Sequence, residues 1–568
     1  MNILSKKIKI SSVLRQLPAP SRGRMPAGQK GVAGQKGLFL LVFVIGFFIS
    51  CSDWDDHYEN EAVNSSDLTL WDAIKQRDDL SDFAQVLENT MVFRQHKKTS
   101  VSYADVLKGG RSFTLFAPVN GTFNKDSLLS LVTTAKGDSA VERFFIMNHL
   151  AQNLVSADGT DKKFHLLNSK NVTFTDNTVN NVSFKEWNIH SKNGIMHVMN
   201  SQLPYKKTIY ETLVSLPQFK SHGEFLASYN EDVFDENASV SSGLVDGKKV
   251  YVDSVVYERN KLVNAIGLID REDSTYHVSI PTEEGWNKAF KAAMDCFVFP
   301  KNNPNADSLQ RYYAYRALME DAVFSQTTQA SINDSVRSSY YNIAYPQYSV
   351  YYKPFSADGI FGKAKEKISC SNGTIYATDE WVFDPAKTYQ RKIEIEGEST
   401  GLLTDYNACT VNIQKVLNDS VSRGGYMHIK PSGGNSNWSV TYAIADIISV
   451  PYRDVTSGKY DIKVVVLPKS IAGGENKRPC RFTVAINHLD EDGNVSQYLC
   501  NDGAPFNSNP NAIDTIKVAT FKFPACSYGQ NDAKAAIILN CNIRPNENSR
   551  YDRNLYLDAI ILERSKEE

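Results

Sequence analysis

The chain has few residues whose types and spacing could perform catalysis. It has no GxSxG nucleophile elbow, no HExxH zinc motif, no P-loop and no GxGxxG turn between a strand and a helix. Carboxylates are plentiful, but none are spaced as a recognisable glycosidase pair. Residues 490–494 (DEDGN) have the acids of a calcium turn but lack the later bidentate acid of an EF-hand, so a hairpin turn is favoured. The sequence predicts a protein that is not an enzyme and holds no metal or cofactor.

Cys51 is the residue for which the sequence predicts a chemical modification. It follows an apolar run, residues 38–50, with Lys30 and Lys36 upstream, and this order is typical of a secretory signal. The run is too short for a membrane span, because at about 1.5 Å per residue it covers about 20 Å of a roughly 30 Å hydrocarbon core. Residues 48–51 resemble a bacterial lipobox, in which the cysteine is lipidated and becomes the mature N-terminus. The alternative is an ordinary signal peptide with an incidental cysteine.

The acidic stretch after Cys51 bears on localisation. It comprises Ser52, Asp53, Asp55 and Asp56. The stretch resembles the export signal of Bacteroidetes surface lipoproteins, and the alternative is a solvated acidic tether. We therefore expect a signal peptide at residues 1–50, with translation starting at Met25, and a tether at residues 51–66. The predicted location is the cell outer membrane, lipid-anchored and exposed at the surface.

The composition is that of a globular protein with several domains. Its 568 residues suffice for three or four domains, and 42% hydrophobic with 22% charged residues are globular values. A net charge of -2 gives no reason to expect a nucleic-acid partner. Seven cysteines remain after Cys51, and no CxxC pair occurs. Disulfides and buried free thiols fit these cysteines equally well.

A weak internal repeat organises residues 67–388. Each copy opens with an amphipathic helical segment, at Trp71 and at Tyr210, that is broken after about two turns. Each continues with an apolar strand that ends at proline, after which a polar residue, Asn120 or Thr282, begins a turn. Each closes with Asn-Gly and a further strand. The corresponding residues are Pro118 and Pro281, Phe123 and Trp286, and Gly194 and Gly373.

The first copy resembles the fasciclin (FAS1) family. TLFAPVNGTF, FFIMNHLA and NGIMHVMNSQLPY are similar to the family's first block, central helix-to-strand segment and closing block. The family-motif residues are Pro118, Asn120, Phe123, Asn148, His149, Asn193, Gly194 and His197. The resemblance covers residues 67–205, whereas the second copy, residues 206–388, is more divergent and has a Tyr-rich insert, 302–349, that we expect to be helical. It implies two mixed α/β (α+β) fasciclin-like domains that serve in adhesion or in binding matrix, sugars or proteins.

One family feature does not carry over directly. In animal members, a Tyr-His pair in the central segment is linked to integrin binding, and here the pair is Asn148-His149. We expect His149 and His197 to be core or hydrogen-bonding histidines, since a lone histidine near a strand seldom binds metal.

The remaining residues, 389–568, show the pattern of an all-β sandwich. Short alternating strands are separated by turns rich in Gly, Asn and Asp. IEIEGE at 393–398 and YLDAIIL at 556–562 resemble the ends of galactose-binding-like jelly rolls, as in many carbohydrate-binding modules. Any carbohydrate binding is expected here, with Trp438 as the candidate exposed aromatic. The alternative is that Trp438 packs as a lid on the core, and Tyr442 is expected to point inward.

Across both copies the chain resembles a fasciclin-domain surface lipoprotein of Bacteroidetes. The predicted architecture is two fasciclin-like domains followed by a jelly-roll sandwich. The predicted partners are the outer membrane, through the lipid anchor, and polysaccharide or surface proteins. Three functional classes follow: a non-catalytic binding protein, accessory to an outer-membrane glycan uptake system; a structural or adhesion protein that contacts host or community surfaces; and an unrecognised glycoside hydrolase. The first is favoured.

Overall fold

The computed structural model describes residues 67–175, 177–245, 248–325, 335–342, 347–433, 436–444, 455–474, 477–527 and 535–566. Residues Leu68–Glu568 form one compact unit. The predicted signal peptide, Cys51, the acidic stretch and Met25 lie outside the described residues. Within the described ranges, no helix is both long enough and apolar enough to cross a membrane.

In the first repeat, short helices cover a seven-stranded sheet. Its helices are α1 (Leu70–Lys75), α2 (Ser81–Asn89), α3 (Tyr103–Lys108), α4 (Lys125–Leu131) and α5 (Ala135–Val141). Its strands are β1 (Met91–Arg94), β2 (Lys97–Ser102), β3 (Phe113–Pro118), β4 (Leu150–Ala151), β5 (Lys162–His165), β6 (Asn171–Phe174), β7 (Thr178–Val179), β8 (Val182–Ser191) and β9 (Gly194–Met199). The sheet order is β4-β3-β9-β8-β7-β6-β5, with β3 and β9 parallel. Every residue of β3 and β9 is buried, which explains their nearly continuous apolar sequences.

The second repeat has the same central strands under larger helices. Its helices are α6 (Ile209–Ser215), α7 (Lys220–Ala227), α8 (Val263–Ile266), α9 (Glu283–Met294) and α10 (Ala306–Ala322). Its strands are β10 (Asn230–Val245), β11 (Lys248–Asn260), β12 (Tyr276–Pro281), β13 (Val323–Ser325), β14 (Ser335–Asn342), β15 (Gln347–Tyr352), β16 (Glu366–Cys370) and β17 (Gly373–Thr378). The order β13-β12-β17-β16 repeats β4-β3-β9-β8 of the first copy, and β12 is again parallel to β17. The predicted common fold is confirmed.

The predicted breaks in the opening helices are also confirmed. A 3-10 turn at Asp78–Leu80 separates α1 from α2, and another at Pro217–Phe219 separates α6 from α7. The prediction of a helical insert at residues 302–349 is wrong for its second half. After α10 the chain continues in β13 and then in the hairpin of β14 and β15, where alternating Val and Tyr residues favour a strand.

The C-terminal region is a two-sheet sandwich, as its alternation predicts. Its strands are β18 (Ile393–Glu396), β19 (Leu403–Asn407), β20 (Cys409–Lys415), β21 (Gly425–Pro431), β22 (Ser439–Ala443), β23 (Lys459–Val466), β24 (Arg481–Leu489), β25 (Val495–Leu499), β26 (Phe506–Asn507), β27 (Asp514–Lys522), β28 (Ala536–Cys541) and β29 (Leu555–Arg564). One sheet has the order β20-β21-β29-β23-β27, with β18 beside β29. The other has the order β19-β22-β28-β24-β25, with β26 beside β24. Inward residues of both sheets form one apolar core.

The sandwich makes backbone contacts with the second repeat. The amides of Ser457, Cys526 and Lys301 donate to the carbonyls of Cys296, Val298 and Glu491, at 2.8, 2.7 and 2.8 Å. The predicted divisions at residues 205/206 and 388/389 stay predictions, because Leu68–Glu568 forms one compact unit. All seven cysteines of the described region are buried free thiols, which favours the thiol alternative over disulfides.

Candidate functional site

Asn193 of the fasciclin motif joins three elements of the first repeat. Its Oδ1 accepts the amide of Leu70, at the start of α1, at 2.8 Å. Its Nδ2 donates to the carbonyls of Leu107 and Gly109, at 2.8 and 2.6 Å. The side chain is buried, so these bonds satisfy an amide that would otherwise be costly to enclose. Asn193 is therefore a structural residue.

Asn372 makes the same connections in the second repeat. Its Oδ1 accepts the amide of Ile209, the first residue of α6, at 2.8 Å. Its Nδ2 donates to the carbonyls of Ile269 and Arg271, at 2.8 Å each. The sequence indicated only that Asn372 precedes a strand, because its partners lie more than 100 residues away.

The glycines after these asparagines allow parallel strands to approach. A Cβ at Gly194 would lie 2.1 Å from the carbonyl oxygen of Phe113, and one at Gly373 would lie 1.9 Å from that of Tyr276. Their φ angles of 156° and 142° are also unfavourable for other residues. Pro118 and Pro281 occupy the last register positions of the two parallel pairs.

In each repeat, a side chain in the turn after the proline forms hydrogen bonds with the backbone at the start of the second helix. Asn120 accepts the amide of Asp82 at 2.9 Å and donates to the carbonyl of Asp78 at 2.8 Å. In the second repeat Glu283, not Thr282, has this role, because its carboxylate accepts the amide of Ser221 at 2.8 Å. Thr282 precedes α9 without a side-chain capping bond.

The motif aromatic and histidines lie in the core, as predicted. Phe123 packs against Phe145, with ring centroids 5.1 Å apart. His149 donates from Nδ1 to the Phe145 carbonyl at 2.8 Å and accepts the Leu203 amide at Nε2 at 2.9 Å. His197 donates from Nε2 to the Val155 carbonyl at 2.8 Å. Burial lowers the pKa of each histidine to about 4, so both are neutral near pH 7.

Asn148, beside His149, is also structural. Its Nδ2 donates to the Leu203 carbonyl at 3.0 Å, and its Oδ1 accepts from Asn168 at 3.0 Å. Both members of the Asn148-His149 pair are buried and hold Leu203 of the closing block. They are therefore not available on the surface for a partner.

A buried lysine that the sequence did not single out joins the two repeats. Lys170 Nζ lies 3.1 Å from Glu211 Oε2, 2.9 Å from Glu272 Oε1 and 3.1 Å from Ser371 Oγ. Tyr205 and Arg143 also bind Glu211, at 2.6 and 2.8 Å. This network lets one cation of the first repeat bind two carboxylates of the second.

The prediction of Trp438 as an exposed ligand-binding aromatic is wrong. The side chain is 2% exposed, and its Nε1 donates to the Arg553 carbonyl at 2.6 Å. The alternative, a lid on the core, describes its position. Tyr442 is inward, as predicted, and its hydroxyl donates to the Gly397 carbonyl at 2.6 Å.

Two carboxylates of the sandwich have raised pKa values. Burial raises the pKa of Asp558 to about 7, and the nearby charges of Glu396 and Glu398 also raise it. The hydrogen bond that Asp558 accepts from the Ser422 amide lowers the pKa and offsets part of this rise. Burial likewise raises the pKa of Glu396, whose Oε1 lies 2.9 Å from Arg423 Nε. Glu396 and Asp558 are 5% and 3% exposed, and neither lines a described cavity. Both carboxylates are therefore enclosed, away from a substrate.

Two concave surfaces remain as candidate binding sites. A shallow crevice on the sandwich is lined by residues that include Lys469, Asp552, Asn554 and Tyr556. A larger groove of about 440 Å³ in the second repeat, the aromatic groove, lies between α7, α9 and α10. Its lining includes Phe225, Trp286, Phe290, Lys291, Gln310 and Arg311. Its volume is in the range of small-molecule sites.

Metal binding has no geometric support among the described residues. No three or more His, Cys, Asp or Glu side chains in these ranges are grouped as metal ligands. Residues 490–494 form the turn between β24 and β25, as favoured above. Asp490 Oδ1 accepts the amides of Asp492 and Asn494, at 3.0 and 2.8 Å, so the turn uses this carboxylate internally.

Comparisons with solved structures give only weak likenesses. A FAS1 domain pair from the insect cell adhesion molecule Fasciclin I is 10% identical and covers 49% of this chain and 90% of that chain, with a TM-score of 0.17. A xylan-binding domain from CBM 22 is 12% identical and covers 30% of this chain and 92% of that chain, with a TM-score of 0.19. A Paenibacillus xanthan lyase is 12% identical and covers 34% of this chain but 16% of that chain, with a TM-score of 0.20. Such scores carry no conclusion about this protein.

The family comparison is specific to the first repeat. No curated protein matches the chain. The Fasciclin domain family matches residues 79–204, which include every motif residue described above in the first repeat. The chain therefore contains a fasciclin domain at residues 79–204.

Proposed function

We propose that the protein is a non-catalytic surface protein that binds glycans or other proteins. The fasciclin domain at residues 79–204 is the observation that carries this proposal, because domains of this family serve in adhesion and binding. Its motif residues Asn193, His149 and His197 are buried and bonded internally, which leaves the exterior free to contact a ligand. The purified full chain should retain a partner from a panel of glycans and surface proteins. Absence of binding across the panel would contradict the proposal.

Anchoring through Cys51 is part of the same proposal. The apolar run before this cysteine and the acidic stretch after it support lipidation and display on the outer leaflet. Protease added to intact cells should degrade the wild-type protein. The Cys51→Ala variant should accumulate as precursor or as released soluble protein. If this variant partitions into detergent as the wild type does, the proposed lipid anchor at Cys51 is wrong.

Glycan binding by the sandwich is the more specific form of the proposal. His428 and Tyr556 stack at 4.7 Å beside the shallow crevice, and His428 Nε2 lies 2.9 Å from Asn554 Oδ1. The Tyr556 ring is buried, so the crevice offers a sugar mainly the polar groups of Asn554, Asp552 and Lys469. Asn554→Ala should weaken binding on a glycan array, whereas Lys430→Ala, an exposed position on β21, should not. Equal binding by the wild type and both variants would mean that the glycan binds at another site.

The alternatives are an adhesion protein without a glycan ligand and a glycoside hydrolase. Burial of Asp558 and Glu396 favours a structural role for the raised-pKa pair. Incubation with plant and bacterial polysaccharides should release no reducing ends. If the wild type releases reducing ends and Asp558→Asn does not, the protein is a hydrolase instead.

A further inference from the structure

The aromatic groove has a floor formed by the half-buried rings of Phe225 and Phe290, with the buried Trp286 ring packed against Phe290. Trp286 and Phe290 stack with centroids 5.9 Å apart and planes 11° from parallel. Phe225 lies 5.5 Å from Phe290 on the neighbouring helix. Trp286 is held from behind by His222, whose ring lies 4.4 Å away. The rings are therefore fixed before any ligand arrives, which lowers the entropic cost of binding.

Two cations lie at the rim of this floor. The Arg311 guanidinium lies 5.3 Å from the Phe225 ring and 5.7 Å from the Phe290 ring, so both rings help to hold it in place. Lys291 is exposed on α9. Neither Arg311 nor Lys291 forms an ion pair with another residue in the described ranges. Their donors are therefore available to an anion.

The rim also offers groups that suit hydroxyls. Asn287 and Asp295 are exposed and line the groove. Gln310 donates from Nε2 to the Met294 carbonyl at 2.8 Å, which orients its amide. An aromatic floor, amide and carboxylate acceptors, and a net positive rim fit a sugar ring that carries a carboxylate better than a simple anion.

We propose that the aromatic groove binds acidic saccharides, with one carboxylate held by Arg311 and Lys291 and the sugar ring against the aromatic floor. This inference rests on the proposed binding function and deepens it, because it names a ligand class and places the site in the second repeat, outside both the fasciclin domain at residues 79–204 and the sandwich. Occupancy of the site does not depend on anchoring through Cys51. A groove of about 440 Å³ has room for one or two sugar rings.

The test is calorimetric titration of the purified protein with trigalacturonate. Galactotriose, which lacks the carboxylates, and triglutamate, which lacks the sugar ring, serve as control ligands. Trigalacturonate should bind at millimolar concentration or better, more tightly than either control, and more weakly at high salt. Arg311→Gln should weaken binding by about ten- to hundredfold, since it removes a charge-assisted hydrogen bond. Lys291→Gln should have a smaller effect.

Lys288→Gln is the matched control, because Lys288 is exposed on the same helix but does not line the groove. It should bind trigalacturonate as the wild type does. The proposal is overturned if trigalacturonate does not bind, if Arg311→Gln binds it equally well, or if triglutamate binds equally tightly. The exposed Arg311 and Lys291 changes should leave the thermal unfolding midpoint unchanged, which separates loss of the site from loss of the fold.

Discussion

The two repeats have the same sheet but differ in the helices that cover it. In both, a buried asparagine receives the first amide of the opening helix and a glycine allows the parallel strands to approach. The helices that follow the prolines, α4 and α9, differ more. α4 has 7 residues, whereas the corresponding α9 has 12, and the residues at the positions of Phe225 and Phe290 are Val86 and Ser127 in the first repeat.

This difference separates two kinds of constraint. The bonds of Asn193 and Asn372 connect distant backbone groups, so no other side chain can replace them without leaving buried groups unpaired. The helical cover needs only apolar residues of suitable volume, which many sequences supply. The second repeat could therefore acquire an aromatic groove while keeping its sheet.

The glycine positions should give the largest effects. Gly194→Val and Gly373→Val would each force a Cβ into a backbone carbonyl, and we expect each to lower the free energy of unfolding by about 4 kcal/mol. Denaturant unfolding measures the loss. Gly121→Val is the control, because Gly121 also has a positive φ but no atom within 4 Å of a built Cβ, and it should cost about 1–2 kcal/mol. Tolerance of valine at only one of the two strand positions would break the equivalence of the repeats.

The asparagines should come next. Asn193→Ala and Asn372→Ala each remove one acceptor and two donors from buried partners, so we expect each to lower stability by about 3 kcal/mol. Asn→Asp at either position keeps the acceptor and loses the donors, and it should not restore the wild-type value. A loss below about 1 kcal/mol at one position would mean that the two asparagines are not equivalent.

The sequence could predict the sheet because its signals are local. A proline that ends an apolar strand and an Asn-Gly pair that opens one lie within a few residues of the structures they specify. The contacts of Lys170 lie 41, 102 and 201 residues away, so no local pattern indicates them. Trp438 donates to a carbonyl 115 residues away, so its local sequence cannot decide between an exposed and a buried position. The aromatic groove likewise requires three helices to meet.

The lysine that joins the repeats should have an intermediate effect. Lys170→Met leaves Glu211 and Glu272 buried beside each other without their shared cation, so we expect a loss of about 2–3 kcal/mol. Arg143 still binds Glu211, which limits the cost. Adding Glu272→Gln to Lys170→Met should recover part of the loss in denaturant unfolding. No recovery in the double variant would mean that the lysine acts through packing rather than charge.

The smallest effect should appear as a pH dependence that differs between the repeats. The residues that lead into β4 and into β13 correspond, which aligns His149 with Ala322 and Met147 with Glu320. Burial lowers the pKa of His149 to about 4. Burial raises the pKa of Glu320 to about 7, although the charge and the hydrogen bond of Arg316 lower it in part. Between about pH 4 and pH 6.5 the unfolded chain binds a proton at His149 that the folded chain does not. The folded chain instead keeps a proton at Glu320 up to about pH 7.

These two groups therefore act with opposite signs. Acidification from pH 7 to pH 5 should lower the stability of the first repeat by about 2 kcal/mol through His149. The same change should favour the folded second repeat through Glu320, and it should act in the opposite direction through His222 and His277, whose pKa values burial lowers to about 3 and about 4. Hydrogen exchange measures both, because the Leu203 amide donates to His149 Nε2, and opening of this bond becomes more favourable as the opened ring takes up a proton below pH 6.5. Its protection should fall below pH 6.5, and Glu320→Gln should remove the opposite trend at amides of α10. Equal acid sensitivity at Leu203 and in α10 would contradict this assignment and leave the repeats alike in their response to pH.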